Sequence, residues 1–218
     1  MFEIKTFSVN TLGENTYIVS DETRECVIID CGAMFPDEEE AIKAYIADNS
    51  LTVKHHLLTH AHFDHVFGCP FISREYGVNP TLHRDDKHLY DSLDEQAKKY
   101  MGIELPIQLP PIQQLLLHDS MVSFGNHQLR VIHTPGHSRG SVFYVCDEEH
   151  VAFSGDTLFR ASIGRTDLEE GSTPDILNSL QQKVAKIPWE TKVYPGHGAD
   201  TTIRIEMLSN PYLRGGIY

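Results

Sequence analysis

The feature that most constrains this chain is a dense group of titratable side chains directly after a predicted strand. Residues 59–65 read THAHFDH, so three imidazoles and one carboxylate fall within six positions. Neutral imidazole and carboxylate are ligands that suit zinc and neighbouring first-row metals. On a tight loop that leaves a strand, His60 and His62 can point one way while Asp64 and His65 point another. We expect this loop to supply ligands to two ions, because a surface loop would rarely show such spacing by chance with 13 histidines in 218 residues.

Three further segments place a possible ligand directly after a glycine at the end of a predicted strand. They are TPGHS with His137, SGDT with Asp156 and PGHG with His197. Glycine lets the backbone turn sharply, so the next side chain can project from the sheet edge. Each motif alone is an ordinary turn. Together with the first cluster, the three motifs predict one metal centre.

The rest of the chain predicts several strands followed by a helix in each half. Alternating or β-rich segments predict strands at 2–9, 16–19, 25–30, 51–59, 121–124, 128–133, 141–146, 150–153 and 192–194. Helices are expected at 36–49, at 85–101 with a mostly exposed surface, and at 175–187 with Thr173 as N-cap. Two sheets packed face to face with helices outside would give an α+β sandwich of four layers.

The acidic composition argues against several classes of partner. Lys plus Arg is 18 and Asp plus Glu is 31, which gives a net charge of −13. Nucleic acids and anionic membranes attract proteins with surplus positive charge, so neither is expected as a partner. No apolar run reaches the roughly 20 residues of a membrane helix, and the first residues do not form a secretory signal. We expect a cytoplasmic protein with one domain over residues 1–218 and a small-molecule substrate, whereas the oligomeric state is not predicted.

On these motifs the sequence resembles the metallo-β-lactamase superfamily, whose fold is a four-layer αββα sandwich. THAHFDH, TPGHS, SGDTLF and PGHG match the metal motifs of that family, over essentially the whole chain. The resemblance implies two divalent ions, with zinc expected first and iron or manganese left open. One ion would be bound by His60, His62 and His137, the other by Asp64, His65 and His197, with Asp156 bridging both. Asp30, in the segment IIDCG, would orient a ligand loop, or would simply form a turn before the glycine.

Within the superfamily, the chain is most similar to the short glyoxalase II-like branch. SGDTLF followed by IGRTD at residues 163–167 resembles the extended motif of that branch. The resemblance implies hydrolysis of a thioester such as S-lactoylglutathione. Full-length glyoxalase II enzymes continue into a helical domain that supplies much of the glutathione site, whereas only 21 residues follow His197 here. The expected substrate is therefore an acyl thioester whose thiol is left open.

The expected chemistry needs no protein nucleophile. Two divalent ions about 3.5–4 Å apart lower the pKa of a shared water to near 7, and the resulting hydroxide would attack the thioester carbonyl. Asp64 could take or relay the proton. Three arginines beside the motifs could hold a substrate carboxylate or could pair with acidic neighbours such as Asp167. These arginines are Arg139, Arg160 and Arg165.

Two other functions are compatible with parts of this pattern. A persulfide dioxygenase of the same fold would bind a single iron through His60, His137 and Asp156. A non-catalytic, metal-stabilised binding module is disfavoured, because seven ligands exceed the four of a closed structural site. The other eight histidines and the four cysteines are expected to be structural or surface residues, with the cysteines buried as small side chains.

Overall fold

The computed structural model describes residues 2–102, 104 and 107–213, and two six-stranded sheets form their centre. The first sheet contains β1 (Glu3–Val9), β2 (Glu14–Ser20), β3 (Glu25–Ile29), β4 (Thr52–Leu57), β5 (Pro80–His83) and β6 (Gln114–Leu116). These six strands lie side by side in chain order. Strands β1 to β3 pair antiparallel, whereas β3 to β6 pair parallel.

The second half of the chain forms the second sheet and a small hairpin. Its strands are β7 (Met121–Phe124), β8 (His127–His133), β9 (Val142–Cys146), β10 (Val151–Gly155), β11 (Leu158–Phe159), β12 (Ser162–Ile163), β13 (Lys192–Pro195) and β14 (Thr201–Thr202). The sheet order is β14-β13-β10-β9-β8-β7, and β11 pairs with β12 apart from it. The pair β10–β13 is parallel, and the other neighbours in this sheet are antiparallel.

Helices cover the outer face of each sheet. They are α1 (Pro36–Asp48), α2 (Phe63–Val66), α3 (Cys69–Tyr76), α4 (Lys87–Asp91), α5 (Leu93–Met101), α6 (Thr173–Gln182) and α7 (Ile203–Ser209). The chain also forms two 3₁₀ turns in its described part. One, Arg84–Asp86, directly precedes α4, and the other, Val184–Lys186, follows α6. In the described part of the chain, no helix has the length and apolar character that crossing a membrane requires.

The four layers follow from strands that are apolar on both faces. In β3, Val27 and Ile29 face the second sheet, whereas Ile28 packs against α1 and α3. In β9, Tyr144 faces the first sheet, whereas Phe143 packs against α6 and α7. Side chains alternate along a strand, so a wholly buried apolar strand must be covered on both sides. The predicted αββα sandwich is confirmed.

Three local predictions differ from the structure. The cap of α6 is Ser172, not Thr173, because Ser172 has extended φ and ψ and its Oγ accepts a hydrogen bond from the Asp175 amide at 3.3 Å. The helix ends at Gln182 and is followed by the 3₁₀ turn Val184–Lys186, so it does not run unbroken to residue 187. The segment 85–101 is helical and largely exposed as expected, but it is split into α4 and α5 and one face is buried.

Candidate metal centre

The predicted ligand segments meet at one edge of the two sheets. The loop of residues 59–65 follows β4, and Asp156 follows β10 directly. His137 lies four residues after β8, and His197 lies two residues after β13. Parallel neighbours carry their carboxyl ends to the same edge of a sheet, so the pairs β3–β4 and β10–β13 bring these segments together.

The two directions predicted for the first loop have a local cause. His62 has extended backbone angles and is the N-cap residue of α2, so Asp64 and His65 lie in the first turn of that helix. The His65 amide donates to the His62 carbonyl at 3.0 Å. The change from extended loop to helix separates His60 and His62 from Asp64 and His65, because side chains leave a helix in another direction.

His60, His62 and His137 form a buried group that we call the first triad. His62 Nδ1 lies 2.8 Å from His137 Nε2, and the ring of His60 lies 4.8 Å from each of the other two rings. One ligand atom from each residue falls within 4.8 Å of the others. His60 Nε2 has no hydrogen-bond partner among the described residues, although it is fully buried.

Asp64, His65 and His197 form a second group, the second triad. Asp64 Oδ2 lies 3.1 Å from His197 Nε2 and 3.9 Å from His65 Nε2. His65 Nε2 is buried and also lacks a hydrogen-bond partner within the described part of the chain. The structure thus brings all six residues into two adjacent sets of three, in the grouping that the family resemblance implies.

Asp156 lies between the two triads. Its Oδ1 is 3.5 Å from His65 Nε2, and its Oδ2 is 3.6 Å from both His137 Nε2 and His197 Nε2. Oδ1 has no hydrogen-bond partner among the residues that the structure describes. Buried polar atoms are normally paired, so three unpaired, converging atoms fit cations that would complete their coordination. The residues present therefore suit a two-ion centre.

Behind the second triad, one carboxylate holds His65 and a second lies near it. Asp30 Oδ2 accepts from His65 Nδ1 at 3.0 Å, and the two Asp30 oxygens also accept the Thr59 amide and hydroxyl at 2.7 Å. Glu14, which no sequence motif indicated, is fully buried with Oε1 3.9 Å from His65 Nδ1. Its Oε2 accepts from the Gly32 amide at 2.9 Å. Asp30 thus makes the contact expected of a residue that orients a ligand, and it ties His65 to the loop that carries His60.

Two glycines illustrate why the turns before the ligands need this residue. Gly155, before Asp156, has φ of +48°, a conformation that other residues adopt at a cost. Gly196, before His197, is required for a different reason, since a Cβ atom there would lie 2.1 Å from Asp156 Oδ1 and 2.7 Å from the His65 ring. The predicted role of glycine is therefore partly backbone angle and partly close approach.

The electrostatic environment of the first triad keeps its imidazoles neutral. Burial lowers the pKa of His60 well below 6.5, and the neighbouring imidazoles lower it further. Burial lowers the pKa of His62 to about 3, with a contribution from His137, and also lowers that of His137. Neutral imidazole is the form that binds a cation.

The second triad shows the opposite shift. Burial opposes the charged form of His65, but Asp30, Asp156 and Asp64 together outweigh it and raise the pKa of His65 well above 6.5. The pKa of His197 is also raised, since the hydrogen bond to Asp64 outweighs burial. In turn, these imidazoles outweigh the burial of Asp64 and Asp156 and lower the pKa of both carboxyls. The second triad therefore has a strong affinity for positive charge.

The arginines near the motifs are exposed, and two of them have acidic partners. Arg165 makes two hydrogen bonds to Asp167, at 2.7 and 2.8 Å. Arg139 Nη1 lies 3.8 Å from Glu170. Arg160 is exposed in the turn between β11 and β12. The alternative of pairing with an acidic neighbour thus describes Arg165, and more loosely Arg139, in this structure.

The four cysteines and two of the remaining histidines, His83 and His133, agree with structural roles. All four cysteines are buried and unbridged. His83 and His133 lie near Asp85, but their rings stack at 3.9 Å with only 15° between planes. Ring lone pairs lie in the ring plane, so stacked rings cannot both aim at one ion. His133 Nε2 also donates to the Arg139 carbonyl at 2.7 Å.

With this geometry in place, comparison with known families decides the relationship. The model of the metallo-beta-lactamase superfamily matches residues 9–197. The chain belongs to this superfamily. Hydroxyacylglutathione hydrolase GloC of Haemophilus influenzae is 31% identical over 96% of this chain and 97% of its own length.

Solved structures of the superfamily share the fold over nearly the full chain. BLEG-1, described as a B3 metallo-beta-lactamase, is 36% identical, with a TM-score of 0.89 over 98% of this chain and all of its own. TTHA1623, solved in a di-iron-bound form, is also 36% identical, with a TM-score of 0.84 over 96% of this chain and all of its own. The family resemblance that the sequence motifs indicated is confirmed.

Proposed function

We propose that this chain is a metal-dependent hydrolase of thioesters that holds one divalent ion at each triad. The observation that carries the proposal is the position of Asp156, whose two oxygens lie within 3.6 Å of ring nitrogens from both triads. A site for a single ion would need only one triad. Superfamily membership and the unpaired atoms His60 Nε2 and His65 Nε2 support the same assignment.

The residues around the two proposed ions would have different roles. When bound, the ions would polarise the substrate carbonyl and lower the pKa of a water to near 7. Asp64 is the proposed proton acceptor, because its carboxylate is about 10% exposed and Oδ2 lies 3.1 Å from His197 Nε2. Asp30 fixes the ring of His65 so that Nε2 faces the centre while Nδ1 is occupied.

Thioesters are the proposed substrate class because of the relative GloC. That hydroxyacylglutathione hydrolase is matched over 97% of its length, so its activity needs little chain beyond the part shared here. The exposed arginines Arg139, Arg160 and Arg165 are the proposed contacts for a substrate carboxylate. For Arg165 this requires exchange of its bond to Asp167, a surface pair that contributes little to stability.

Metal analysis of freshly purified protein is the first test, and we expect about two equivalents of zinc or iron per chain. The second test compares kcat/KM for S-lactoylglutathione with that for the lactoyl ester of a smaller thiol. We expect the two values to agree within about tenfold. A preference of a thousandfold or more for glutathione would instead indicate a dedicated glutathione site.

Two further substrates decide between the proposal and its rivals. Oxygen uptake with glutathione persulfide, together with one equivalent of iron, would replace the hydrolase by a dioxygenase. Turnover of a chromogenic cephalosporin faster than of any thioester would point to the β-lactamase activity by which BLEG-1 is described. We expect thioester hydrolysis without oxygen uptake, and with a higher kcat/KM than for the β-lactam.

A further inference from the structure

Asp86 is a fully buried carboxylate outside both triads. It ends the 3₁₀ turn Arg84–Asp86, which follows β5, and it has no part in the ligand motifs. Burying a carboxylate is unfavourable unless hydrogen bonds satisfy it. The donors that satisfy Asp86 therefore indicate what this residue does.

The donors to Asp86 come from two different ligand loops. Oδ2 accepts from the Ala61 amide at 2.9 Å and from the Ser138 hydroxyl at 2.8 Å, and Oδ1 accepts from the Gly140 amide. Ala61 lies between His60 and His62, and Ser138 directly follows His137. One side chain thus joins the two loops that carry the first triad.

Two neighbours strengthen this connection. A Cβ atom at Gly140 would lie 2.5 Å from the Asp86 amide nitrogen, so glycine is needed for the loop to approach. Gln96, a buried residue of α5, donates to the Ala61 carbonyl at 3.2 Å and accepts from the Phe63 amide at 3.1 Å. The backbone on each side of His62 is therefore held by buried side chains from residues 86–96.

None of the described hydrogen bonds of Asp86 reaches the second triad. His65 is held instead by Asp30, and the His197 loop by Asn15, which donates to the Pro195 and Gly198 carbonyls at 3.0 and 2.9 Å. We infer that Asp86 is a positioning residue specific to the first triad, which sets the separation of the loops bearing His62 and His137. This inference rests on the proposed ligand assignment.

The test is a double-mutant cycle on protein stripped of metal, with Zn²⁺ binding measured by calorimetric titration. His197→Ala leaves the first triad intact, and His62→Ala leaves the second intact. Asp86→Asn places an amide donor against N–H donors and breaks at least one bond. We expect it to weaken Zn²⁺ binding about 10–100-fold in the His197→Ala background, and to leave binding unchanged in the His62→Ala background.

A matched control separates lost hydrogen bonds from lost charge. Asp91→Asn removes the same charge from the same segment, but Asp91 is exposed and pairs only with Lys87 in the described contacts. It should leave Zn²⁺ binding unchanged in both backgrounds. Ser138→Ala removes one bond to Asp86 and should weaken binding in the His197→Ala background by about three- to tenfold.

Several results would overturn the inference. Equal weakening in both backgrounds would mean a general structural role for Asp86, and no weakening in either would mean no role. If Asp86→Asn does not fold, Ser138→Ala decides by the same comparison. If His62→Ala and His197→Ala each leave both binding events intact, the proposed ligand assignment fails, and this inference fails with it. Weaker Zn²⁺ binding in the His197→Ala background alone supports both the ligand assignment and the positioning role of Asp86.

Discussion

The two triads use similar ligands but differ in the charge around them. Three imidazoles form the first triad, and the buried carboxylate nearest its backbone, Asp86, faces peptide groups and a hydroxyl instead of the ring nitrogens. The second triad contains Asp64, and Asp30 contacts His65 from behind. As a result, the pKa of every imidazole is lowered in the first triad and raised in the second.

This difference indicates two ways to prepare a cation site. In the first triad, burial holds the imidazoles in the neutral form, so the site is ready for a cation but offers little negative charge of its own. In the second, carboxylates attract positive charge, and protons compete with metal for the same nitrogens. Asp156 lies at the boundary, with its two oxygens 3.5 and 3.6 Å from ring nitrogens of both triads.

We therefore expect the largest effect at Asp156, which we propose serves both triads. We expect Asp156→Ala to lower kcat/KM for thioester hydrolysis by about 10³-fold or more, because metal catalysis supplies several kcal/mol and 1.36 kcal/mol is tenfold in rate. Metal content should fall below two equivalents per chain. Wild-type turnover with two ions still bound would show that Asp156 does not bridge.

Removing one histidine from each triad sharpens the comparison. We expect His62→Ala and His197→Ala each to lower activity by about 10²-fold and to leave about one equivalent of metal. Asp156→Ala should be worse than either. If one of the two variants retained full activity with a single ion, only the other triad would serve catalysis.

The sequence predicted which segments meet at the candidate centre better than it predicted the residues that support them. His60, His62 and His137 stand in short motifs whose spacing is itself the signal, and β3 and β9 are apolar enough to require a sandwich. Asp86 and Glu14 carry no such motif, because most of their partners are backbone amides and a hydroxyl of segments distant in sequence. The weak signal for Asp86 is an acid three residues after the end of the buried strand β5.

Acidification should release metal from one triad before the other, and we expect this effect to be smaller than those of the ligand substitutions. The pKa of His65 and that of His197 are raised, so protons compete with metal for the second triad at a higher pH than for the first. The lowered pKa values of the first triad keep it competent below pH 6.5. Dialysis between pH 8 and pH 5, followed by metal analysis, should show loss of one equivalent before the other.

The sign of this dependence can be checked on the metal-free protein. A raised pKa of His65 in the folded state contributes stability below pH 6.5, and that contribution disappears as pH rises through the raised value. His60 contributes in the reverse sense, because its lowered pKa makes protonation unfavourable in the fold as pH falls. In the dialysis experiment on metal-loaded protein, loss of both ions at the same pH would contradict the difference between the triads.

The smallest effect is expected at Cys31, which lies beside the second triad without facing it. Its amide donates to the His65 carbonyl at 3.1 Å, but its buried Sγ points toward Gly68, where a Cβ atom would lie 2.3 Å away. Burial raises the pKa of this thiol, which disfavours the thiolate that binds metals. Cys31→Ala should therefore lower the free energy of unfolding by about 1 kcal/mol through lost packing, measured in urea, and leave both equivalents of metal bound. Because the backbone bond to His65 survives the substitution, loss of metal from a still-folded variant would mean that the thiol is a further ligand of the centre, beside the second triad and Asp156.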